Sequence, residues 1–470
     1  MGTVNTVVAL AYLAAAVAFV VGLHLMNSPA TGRNGNRLSS AGMIVAVAAT
    51  LAKVVNDGSI TATGWAVLGA GTAVGTAAAL PMARRVKMTA IPQLVSLFNA
   101  VGGGAAALIA FAGFVRLAGT ALSTRSPLAT VLDVNIGAVT FSGSLVAAGK
   151  LQGWVSGEPV VFPGARVLTA VLAAVALGGS GYLLTGADSI AVLSLVVGAA
   201  LVFGVTMVMP IGGADMPVVI SLLNAFTGIA VAMAGFVIDT SALIIAGALV
   251  GASGGILTKL MADAMNRSIL NIVGGGFGTG DTKLAADVGT AGDIRRLSTA
   301  DAAIQLAYAG KVIIVPGYGL AAAQAQHEIR QLADLLESRG ANVSFAIHPV
   351  AGRMPGHMNV LLAEANVPYT SLKEMDEVNP QFPTTDVVLV VGANDVTNPA
   401  ARRPNTPLSG MPILDVDRAR NIIVIKRSMG HGYAGIDNEL YTNPKTGMYF
   451  ADAKRGLSEI VAAVRTLVSG

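Results

Sequence analysis

A glycine-rich turn with the spacing G-x-G-x-x-A lies in the C-terminal part of this 470-residue chain. It follows an apolar run and leads into a segment of helical periodicity. Glycines there permit a tight turn and let backbone N–H groups approach a phosphate, whose charge the field of a helix N-terminus favours. Because the strand and the helix are both expected, the motif predicts a dinucleotide phosphate site. The turn comprises Gly317, Tyr318, Gly319, Leu320, Ala321 and Ala322.

Charged side chains favour one dinucleotide over the other. The second expected strand ends in Phe345-Ala346-Ile347-His348-Pro349, without the carboxylate that NAD(H)-binding folds commonly use for the ribose 2′-hydroxyl. A later strand ends in Lys426-Arg427-Ser428, whose donors suit a 2′-phosphate. NADP(H) is therefore favoured over NAD(H). The alternative is that Lys426 and Arg427 are ordinary surface charges.

Four short runs of Val and Ile precede or lie between the residues named above. These runs alternate with segments of helical periodicity, and one such helix is expected from about Leu320 to Arg339. Strands separated by helices imply a parallel sheet with right-handed crossovers. We therefore expect a Rossmann-like doubly wound α/β domain over residues 296–470, preceded by a glycine-rich linker over 266–295. The runs are Lys311 to Val315, Val343 to Ile347, Asp386 to Val391 and Ile422 to Ile425.

Residues 1–265 have a different composition from the rest of the chain. The whole chain is 53% hydrophobic and 12% charged, and most of the charge follows residue 260. Crossing ~30 Å of hydrocarbon takes about 20 apolar residues in a helix. An all-α transmembrane bundle is expected, and its first span is interpreted as an anchor, not a signal peptide, because no basic residue precedes its long apolar run. The nine candidate spans lie near 4–26, 38–55, 60–80, 91–115, 129–150, 166–185, 188–209, 216–238 and 241–262.

Basic residues between the spans predict the orientation of the bundle. Cytosolic loops carry an excess of Lys and Arg. This bias predicts a cytosolic C-terminal domain and, with an odd number of spans, an N-terminus outside. The side shared with the C-terminal domain carries Arg33, Arg37, Arg84, Arg85, Lys87, Lys150, Arg166, Lys259 and Arg267, and the other side carries Lys53, Arg116 and Arg125.

An internal repeat relates two of the spans. The segment from Ile91 to Ala100 matches the segment from Met216 to Ala225 at Pro, Ser, Leu, Asn and Ala. Asn99 and Asn224 therefore lie at similar depth, ~12 Å along their helices, and Ser96 and Ser221 one turn earlier. A buried amide there either joins helices through a hydrogen bond or lines a polar path across the membrane. The sequence leaves both interpretations open.

Titratable groups within the spans are few. Histidine is the side chain best suited to moving protons near neutral pH, but the place of His24 near a span end favours an interfacial anchor. Asp133, Lys150, Asp215 and Asp263 also lie near span ends, where the same interpretation is usual. The chain has no cysteine, which excludes thiolate chemistry and disulfides, and its charge of +4 is not gathered into a nucleic-acid-binding run.

Several strings of residues resemble the β subunit of the proton-translocating NAD(P) transhydrogenases. The likeness covers essentially the whole chain, and the strings occur in the family's order. They are Ala214 to Val219, Ala264 to Ser268, Gly317 to Ala321, Val350 to Ala365, Gly392 to Asp395, Lys426 to Met429 and Gly432 to Gly435.

The resemblance implies a chain that carries membrane spans and the NADP(H) domain, while a separate α subunit holds NAD(H). Hydride would pass directly between the two nicotinamides as protons cross the membrane, with no side-chain nucleophile and no metal. It also implies a dimer of αβ units, surrounded by lipid in a bacterial cytoplasmic membrane. An alternative is a transporter or channel that a dinucleotide-sensing domain gates.

The resemblance also implies roles for individual residues. The pyrophosphate would lie at the glycine-rich turn, the 2′-phosphate at Lys426 to Ser428, and the loop through Tyr433 would form a lid. Asp395 would couple protonation to cofactor affinity. The remaining implied contacts are Val350, Ala351, Gly352, Arg353, Met354, Pro355, Gly392, Ala393, Asn394, Val396, Gly410, Met411, Met429, Gly430, His431, Gly432, Asp452 and Ala453.

One position departs from the family pattern. Many members have a histidine, regarded as the proton carrier, where this chain has Asn99, and an amide does not titrate near neutral pH. Candidates for the proton path are therefore Asn99 and Asn224 holding water, Ser96, Ser221, His24, Asp215 or a group of the partner chain.

Overall fold

The computed structural model describes residues 3–26, 29–58, 60–117, 127–156, 159–212, 215–265, 268–273, 294–352, 356–404, 406, 408–432 and 434–468. They form two compact units, one over Met1–Ile211 with Val218–Thr258 and one over Gly212–Pro217 with Lys259–Gly470. Most of the expected linker lies outside the described residues, so the domain boundaries at 265 and 295 stay predictions.

Within the described residues, nine helices are long and apolar enough to cross a membrane, which confirms the expected number. Every candidate span overlaps one of them. They are α1 (Thr3–Leu25), α2 (Pro29–Asp57), α3 (Ala62–Arg85), α4 (Ile91–Leu117), α5 (Pro127–Gln152), α6 (Ala165–Leu184), α7 (Ile190–Val208), α8 (Met216–Val237) and α9 (Ser241–Ala264).

Two spans are longer than their apolar runs. Helix α2 begins at Pro29, because proline suits the first helical turn and the polar residues that follow extend the helix ahead of its apolar part. Helix α3 continues through Pro81 to Arg85, although the expected span stopped at residue 80. Spanning helices tolerate an internal proline. No described residue of α3 is buried, so its apolar sides face outward.

Small residues let the spanning helices approach one another. A Cβ on Gly228 of α8 would lie 2.2 Å from the Gly251 nitrogen of α9, and one on Gly247 would lie 2.4 Å from the Ala232 nitrogen. Between α4 and α5, a Cβ on Gly137 would lie 2.6 Å from the Gly103 oxygen. Such close backbone packing contributes to helix association in a membrane, where burial of apolar side chains away from lipid gives no advantage.

Three of the four charged residues assigned to span ends, Asp133, Lys150 and Asp215, are buried rather than exposed. Asp133 of α5 is 0% exposed and Lys150 of the same helix is 5% exposed. The Lys150 ammonium donates to the carbonyls of Met209 and Ile211, where α7 ends. Asp263 does lie at the surface, where it pairs with Lys259 at 2.6 Å.

The C-terminal unit contains a parallel sheet of six strands in the order β3-β2-β1-β4-β5-β6. This doubly wound order confirms the Rossmann-like fold. Every residue of β4 is buried, because helices cover both faces of the sheet. The strands are β1 (Lys311–Pro316), β2 (Asn342–Ile347), β3 (Leu372–Glu374), β4 (Val387–Val391), β5 (Asn421–Lys426) and β6 (Thr446–Phe450).

The expected helix from Leu320 to Arg339 is wrong as a single element. Gln324 takes a left-handed conformation, with φ of 51°, and divides the segment into two helices. The alanine-rich sequence there has high helix propensity and gives no signal of a break. The helices of this unit are α10 (Ile269–Val273), α11 (Thr299–Ala307), α12 (Tyr318–Ala322), α13 (Gln326–Glu337), α14 (His357–Glu364), α15 (Met375–Val378) and α16 (Ala453–Val468).

Candidate functional site

A cavity of about 450 Å³ opens where β1, β4 and β5 end. The chain turns to opposite sides of the sheet between β1 and β4, and open α/β sheets bind ligands at this point. Most of the expected cofactor residues line the cavity. They are Gly317, Tyr318, Gly319, Ala322, Val350, Ala351, Gly352, Gly392, Ala393, Asn394, Asp395, Val396, Lys426, Arg427, Ser428, Gly430, His431, Gly432, Asp452 and Ala453.

Glycines bring the turns after β1 and β4 into direct backbone contact. A Cβ on Gly317 would lie 2.4 Å from Ala393 Cα, and one on Gly319 would lie 2.6 Å from Gly392 Cα. The N–H groups of Gly317 and Gly319 each donate at 2.9 Å, to the carbonyls of Val391 and Gly392. Both N–H groups therefore donate to the turn after β4. The two glycines allow the turns after β1 and β4 to pack directly on each other.

Lys426 brings positive charge to the wall of the cavity at the end of β5. Its ammonium donates to the Gly430 carbonyl and lies 4.6 Å from the centre of the Tyr441 ring. Burial lowers the pKa of Lys426, while the carboxylates of Asp395 and Asp437 oppose that shift. Arg427 and Ser428 follow as exposed residues in the same wall. Three hydrogen-bond donors therefore occupy one side of the cavity.

Asp395 holds the loop that follows β5 against the turn after β4. Its Oδ2 accepts the Ala434 N–H at 3.1 Å, and a Cβ on Gly432 would lie 2.1 Å from its Oδ1. A Cβ at Gly432 would therefore require the Asp395 carboxylate to move. Asp452 lies across the cavity, where its carboxylate accepts the Lys454 N–H at the start of α16.

His348 fixes the segment that leaves β2. Its Nε2 donates to the Pro412 carbonyl at 2.8 Å and its Nδ1 accepts the Val350 N–H at 3.2 Å. Burial lowers the pKa of His348 to about 4, so the ring is neutral at physiological pH. The next glycine, Gly352, has φ of 102°, a conformation that favours glycine. His348 thus supports the position of Val350 in the cavity wall.

Five expected contacts lie elsewhere in this unit. Leu320 and Ala321 are 0% exposed, beneath the cavity floor. Met411 packs against a separate apolar cluster, and the Gly410 N–H donates to the Ala401 carbonyl. Met429 packs against the main core. Arg353, Met354, Pro355 and Tyr433, also expected contacts, lie outside the described residues.

Three lining residues, Ala323, Ile425 and Ala451, were not predicted. Ile425 and Ala451 adjoin predicted residues at the ends of β5 and β6, so the strand-end rule would have included them. No group of three or more acidic or histidine side chains able to hold a metal occurs in the described part of the chain.

The repeated segments of the bundle make equivalent contacts. Ser96 donates to the Ser144 carbonyl of α5 at 2.8 Å, and Ser221 donates to the Gly254 carbonyl of α9 at 3.2 Å. Asn99 Nδ2 donates to the Ile220 carbonyl at 3.3 Å, joining α4 to α8. This is the contact that the helix-joining interpretation of Asn99 requires. Asn224 is half-buried on α8.

The other proton-path candidates are placed differently. His24 is exposed in the last turn of α1, as an interfacial anchor would be. Asp215, which immediately precedes α8, is 3% exposed. The structure therefore brings Asn99 of α4 to the Ile220 carbonyl of α8, next to Ser221 in the chain, whereas His24 lies in the last turn of α1.

A family model described as NAD(P) transhydrogenase beta subunit matches residues 8–463. The protein named NAD(P) transhydrogenase subunit beta of Rhodospirillum rubrum is 46% identical over 463 residues, which cover 97% of this chain and 98% of that protein. A protein of the same name from strain ATCC 11170 of that species shows the same identity and coverage. The chain, which combines nine membrane-competent helices in its described residues with a doubly wound domain, belongs to the family of NAD(P) transhydrogenase beta subunits.

Proposed function

We propose that this chain binds NADP(H) in the cavity of its doubly wound domain and couples hydride exchange with NAD(H) to proton movement through its helix bundle. NAD(H) is held by a separate α subunit. The nicotinamides supply the hydride chemistry when bound, and the chain's own residues bind, orient and shield the cofactor.

The observation that carries the proposal is the cavity at the ends of β1, β4 and β5. Its volume, about 450 Å³, falls in the usual range for small-molecule sites. Its floor is glycine backbone, which lets a flat or extended ligand lie close to the chain. The turn after β1, with Tyr318 and Ala322, would hold the pyrophosphate.

The donors after β5 explain a preference for NADP(H). Lys426, Arg427 and Ser428 offer two cations and a hydroxyl to the 2′-phosphate, which carries the charge that distinguishes NADP(H) from NAD(H). All three residues line the same cavity. This shared position favours a role in phosphate binding over the interpretation of Lys426 and Arg427 as ordinary surface charges.

The loop from Gly430 to Ala434 acts as the lid over the dinucleotide. Asp395 accepts the Ala434 N–H, so the charge state of this carboxylate affects how firmly the loop is held. We assign to Asp395 the role of linking protonation to the affinity for NADP(H), through a closed and an open state of the lid.

The bundle supplies the proton path. Asn99 cannot titrate, so the path runs through water held by Asn99 and Asn224, with Ser96 and Ser221 beside them. Asp215 lies at the start of α8, at the end where the basic residues predict the cytosol. The N-terminus is then outside and the nucleotide domain cytosolic.

The membrane and the partner subunit form the surroundings of this chain. The apolar sides of α3, which has no buried residue, face membrane lipid. The site is completed by the α subunit that brings NAD(H), in a complex of two αβ units. We place this complex in a bacterial cytoplasmic membrane.

Co-expression with an NAD(H)-binding α subunit tests the proposal. Purified complex in vesicles is supplied with NADPH and an NAD⁺ analogue whose reduction has its own absorbance. We expect reduction only when both subunits are present. Ion flux that NADPH controls without any analogue reduction would instead support a dinucleotide-gated transporter.

A further inference from the structure

Asp133 is a buried carboxyl side chain of α5, next in sequence to members of an apolar cluster. It is 0% exposed, and neither of its oxygens has a hydrogen-bond partner among the described residues. Its neighbours in sequence, Val131 and Val134, pack with Ala110 of α4 and Leu193 of α7. A carboxylate in such surroundings is costly unless it is protonated or meets water, and ionisable groups inside membranes are commonly functional.

Asp133 shares one face of α5 with Gly137, Thr140 and Ser144, which follow it at helical spacing. This face packs on α4, since a Cβ on Gly137 would lie 2.9 Å from the Ala107 Cβ. The carboxyl group therefore belongs to the side of α5 that meets α4, and not to a lipid-facing side.

Polar groups continue along the same face. Thr140 lies ~10 Å further along α5 and Ser144 ~6 Å beyond it. Both are 0% exposed, and Ser144 Oγ lacks a partner among the described residues. Ser96 contacts the Ser144 carbonyl, and Asn99 follows Ser96 by one turn of α4. Buried polar atoms without a protein partner are places for bound water.

Other charged groups on the neighbouring helices do not face Asp133. Arg116 at the end of α4 is exposed, as are Arg166 and Tyr182 of α6. Helix α7 carries no ionisable side chain, and Lys150 lies at the opposite end of α5 with its bonds directed to α7 carbonyls. Proton exchange at Asp133 is therefore not set by a fixed ion pair within the described residues.

We infer that Asp133 is a proton-binding residue of the membrane path, located between the end of the bundle where α5 begins and the Asn99–Asn224 group. The neutral acid gives its proton to water along the α4–α5 interface and is reprotonated from the side where α5 starts. This inference rests on the proposed proton translocation and supplies a titrating group that Asn99 cannot provide.

The test uses the αβ complex in sealed vesicles and compares Asp133→Asn, Asp133→Glu and the control Asp188→Asn, which changes an exposed carboxylate in the loop between α6 and α7. We expect Asp133→Asn to lower NADPH-driven proton movement on the order of 100-fold, a factor typical of losing a proton-transfer group. NADPH binding by the solubilised complex should stay close to wild type. Asp133→Glu should restore movement with a displaced pH profile, and Asp188→Asn should have no effect.

Wild-type proton movement and an unchanged pH profile in Asp133→Asn would overturn the inference. If that variant does not assemble, labelling of the wild-type complex with dicyclohexylcarbodiimide decides, because this reagent modifies protonated carboxyl groups in apolar surroundings. Mass spectrometry should find label on Asp133, more at lower pH, and none on Asp188. Absence of label on Asp133 would contradict its role. Failure of the proposed function itself would differ, since the wild-type complex would then move no protons.

Discussion

Gly319 and Gly392 lie so close that a Cβ on Gly392 would stand 2.3 Å from Gly319 Cα. Gly392 also has φ of 65°, in the left-handed region. The turns after β1 and β4 therefore form one backbone surface, and that surface is the floor of the proposed NADP(H) site.

Replacing Gly319 with alanine should separate these turns. A Cβ at Gly319 would lie 2.6 Å from Gly392 Cα, which requires the backbone to move. We expect NADPH binding to weaken about 10- to 100-fold, in line with the usual cost of overpacking. Isothermal titration of the complex measures this. Gly310→Ala is the matched control, because its new Cβ would meet only an ordinary contact at 3.4 Å. Equal affinity in Gly319→Ala and wild type would contradict the described floor.

Arg427→Gln should reduce the preference for NADPH. Loss of a charge-assisted hydrogen bond to the 2′-phosphate costs about 1.5–3 kcal/mol, or about 10- to 100-fold in affinity. Affinity for NADH, which lacks that phosphate, should hardly change. Arg455→Gln removes a surface arginine of α16 and serves as the control. A parallel loss for both nucleotides would show that Arg427 does not contact the 2′-phosphate.

Asp395→Ala should loosen the proposed lid. The Ala434 N–H would lose its acceptor. Loss of one charge-assisted hydrogen bond corresponds to a change of about 10- to 100-fold in the release rate of NADPH. We expect faster release of NADPH in stopped-flow displacement. Asp376→Ala, an exposed carboxylate of α15, should leave the release rate unchanged. An unaltered release rate in Asp395→Ala would argue against a loop held by this residue.

His348 makes the stability of the nucleotide domain depend on pH. Its pKa falls from an ordinary 6.5 to about 4 in the folded chain, so unfolded chains bind the extra proton between these values. Stability is then fully present above pH 6.5 and is lost as pH falls toward 4. The free energy of unfolding decreases by about 3 kcal/mol over this range. Melting temperatures measured from pH 7.5 to 4.5 should show a smaller slope in His348→Gln, which keeps a donor for Pro412. An identical slope would show that another group causes the dependence.

Asn99→Leu should reduce the rate of proton movement about tenfold. This factor corresponds to an increase of about 1.4 kcal/mol in the activation free energy of proton transfer. The variant removes the amide that contacts the Ile220 carbonyl and holds the proposed water. Asn135→Leu is the control, since Asn135 joins α5 to Ser180 of α6 instead. Intact proton movement in Asn99→Leu would leave Asn99 with a helix-joining role alone.

Periodicity predicted the elements better than it predicted their ends and their contacts. Apolar runs located the nine spans found in the described residues, because a membrane requires such runs, but α2 begins at Pro29 in a polar stretch that gives no apolar signal. The break at Gln324 depends on a left-handed backbone that the alanine-rich sequence does not announce.

The candidate site shows the same contrast. Strand-end motifs predicted most of the cavity lining, since parallel strands place their carboxyl ends at one edge. Gly410 and Met411 do not line it, because Met411 packs in a different cluster and the Gly410 N–H donates to the carbonyl of Ala401 in that cluster. Position near a span end suggested that Asp133 is an anchor, whereas helix packing buries it completely. Which side of a helix faces a neighbour depends on tertiary contacts.

The most direct measurement follows hydride exchange and lumenal pH together in sealed vesicles of the αβ complex. We expect reduction of an NAD⁺ analogue by NADPH to move protons away from the side of the membrane that carries the nucleotide domain. A protonophore should abolish the pH change and not the reduction. Analogue reduction at full rate with no proton movement in sealed vesicles would contradict the coupling of this cavity to the helix bundle.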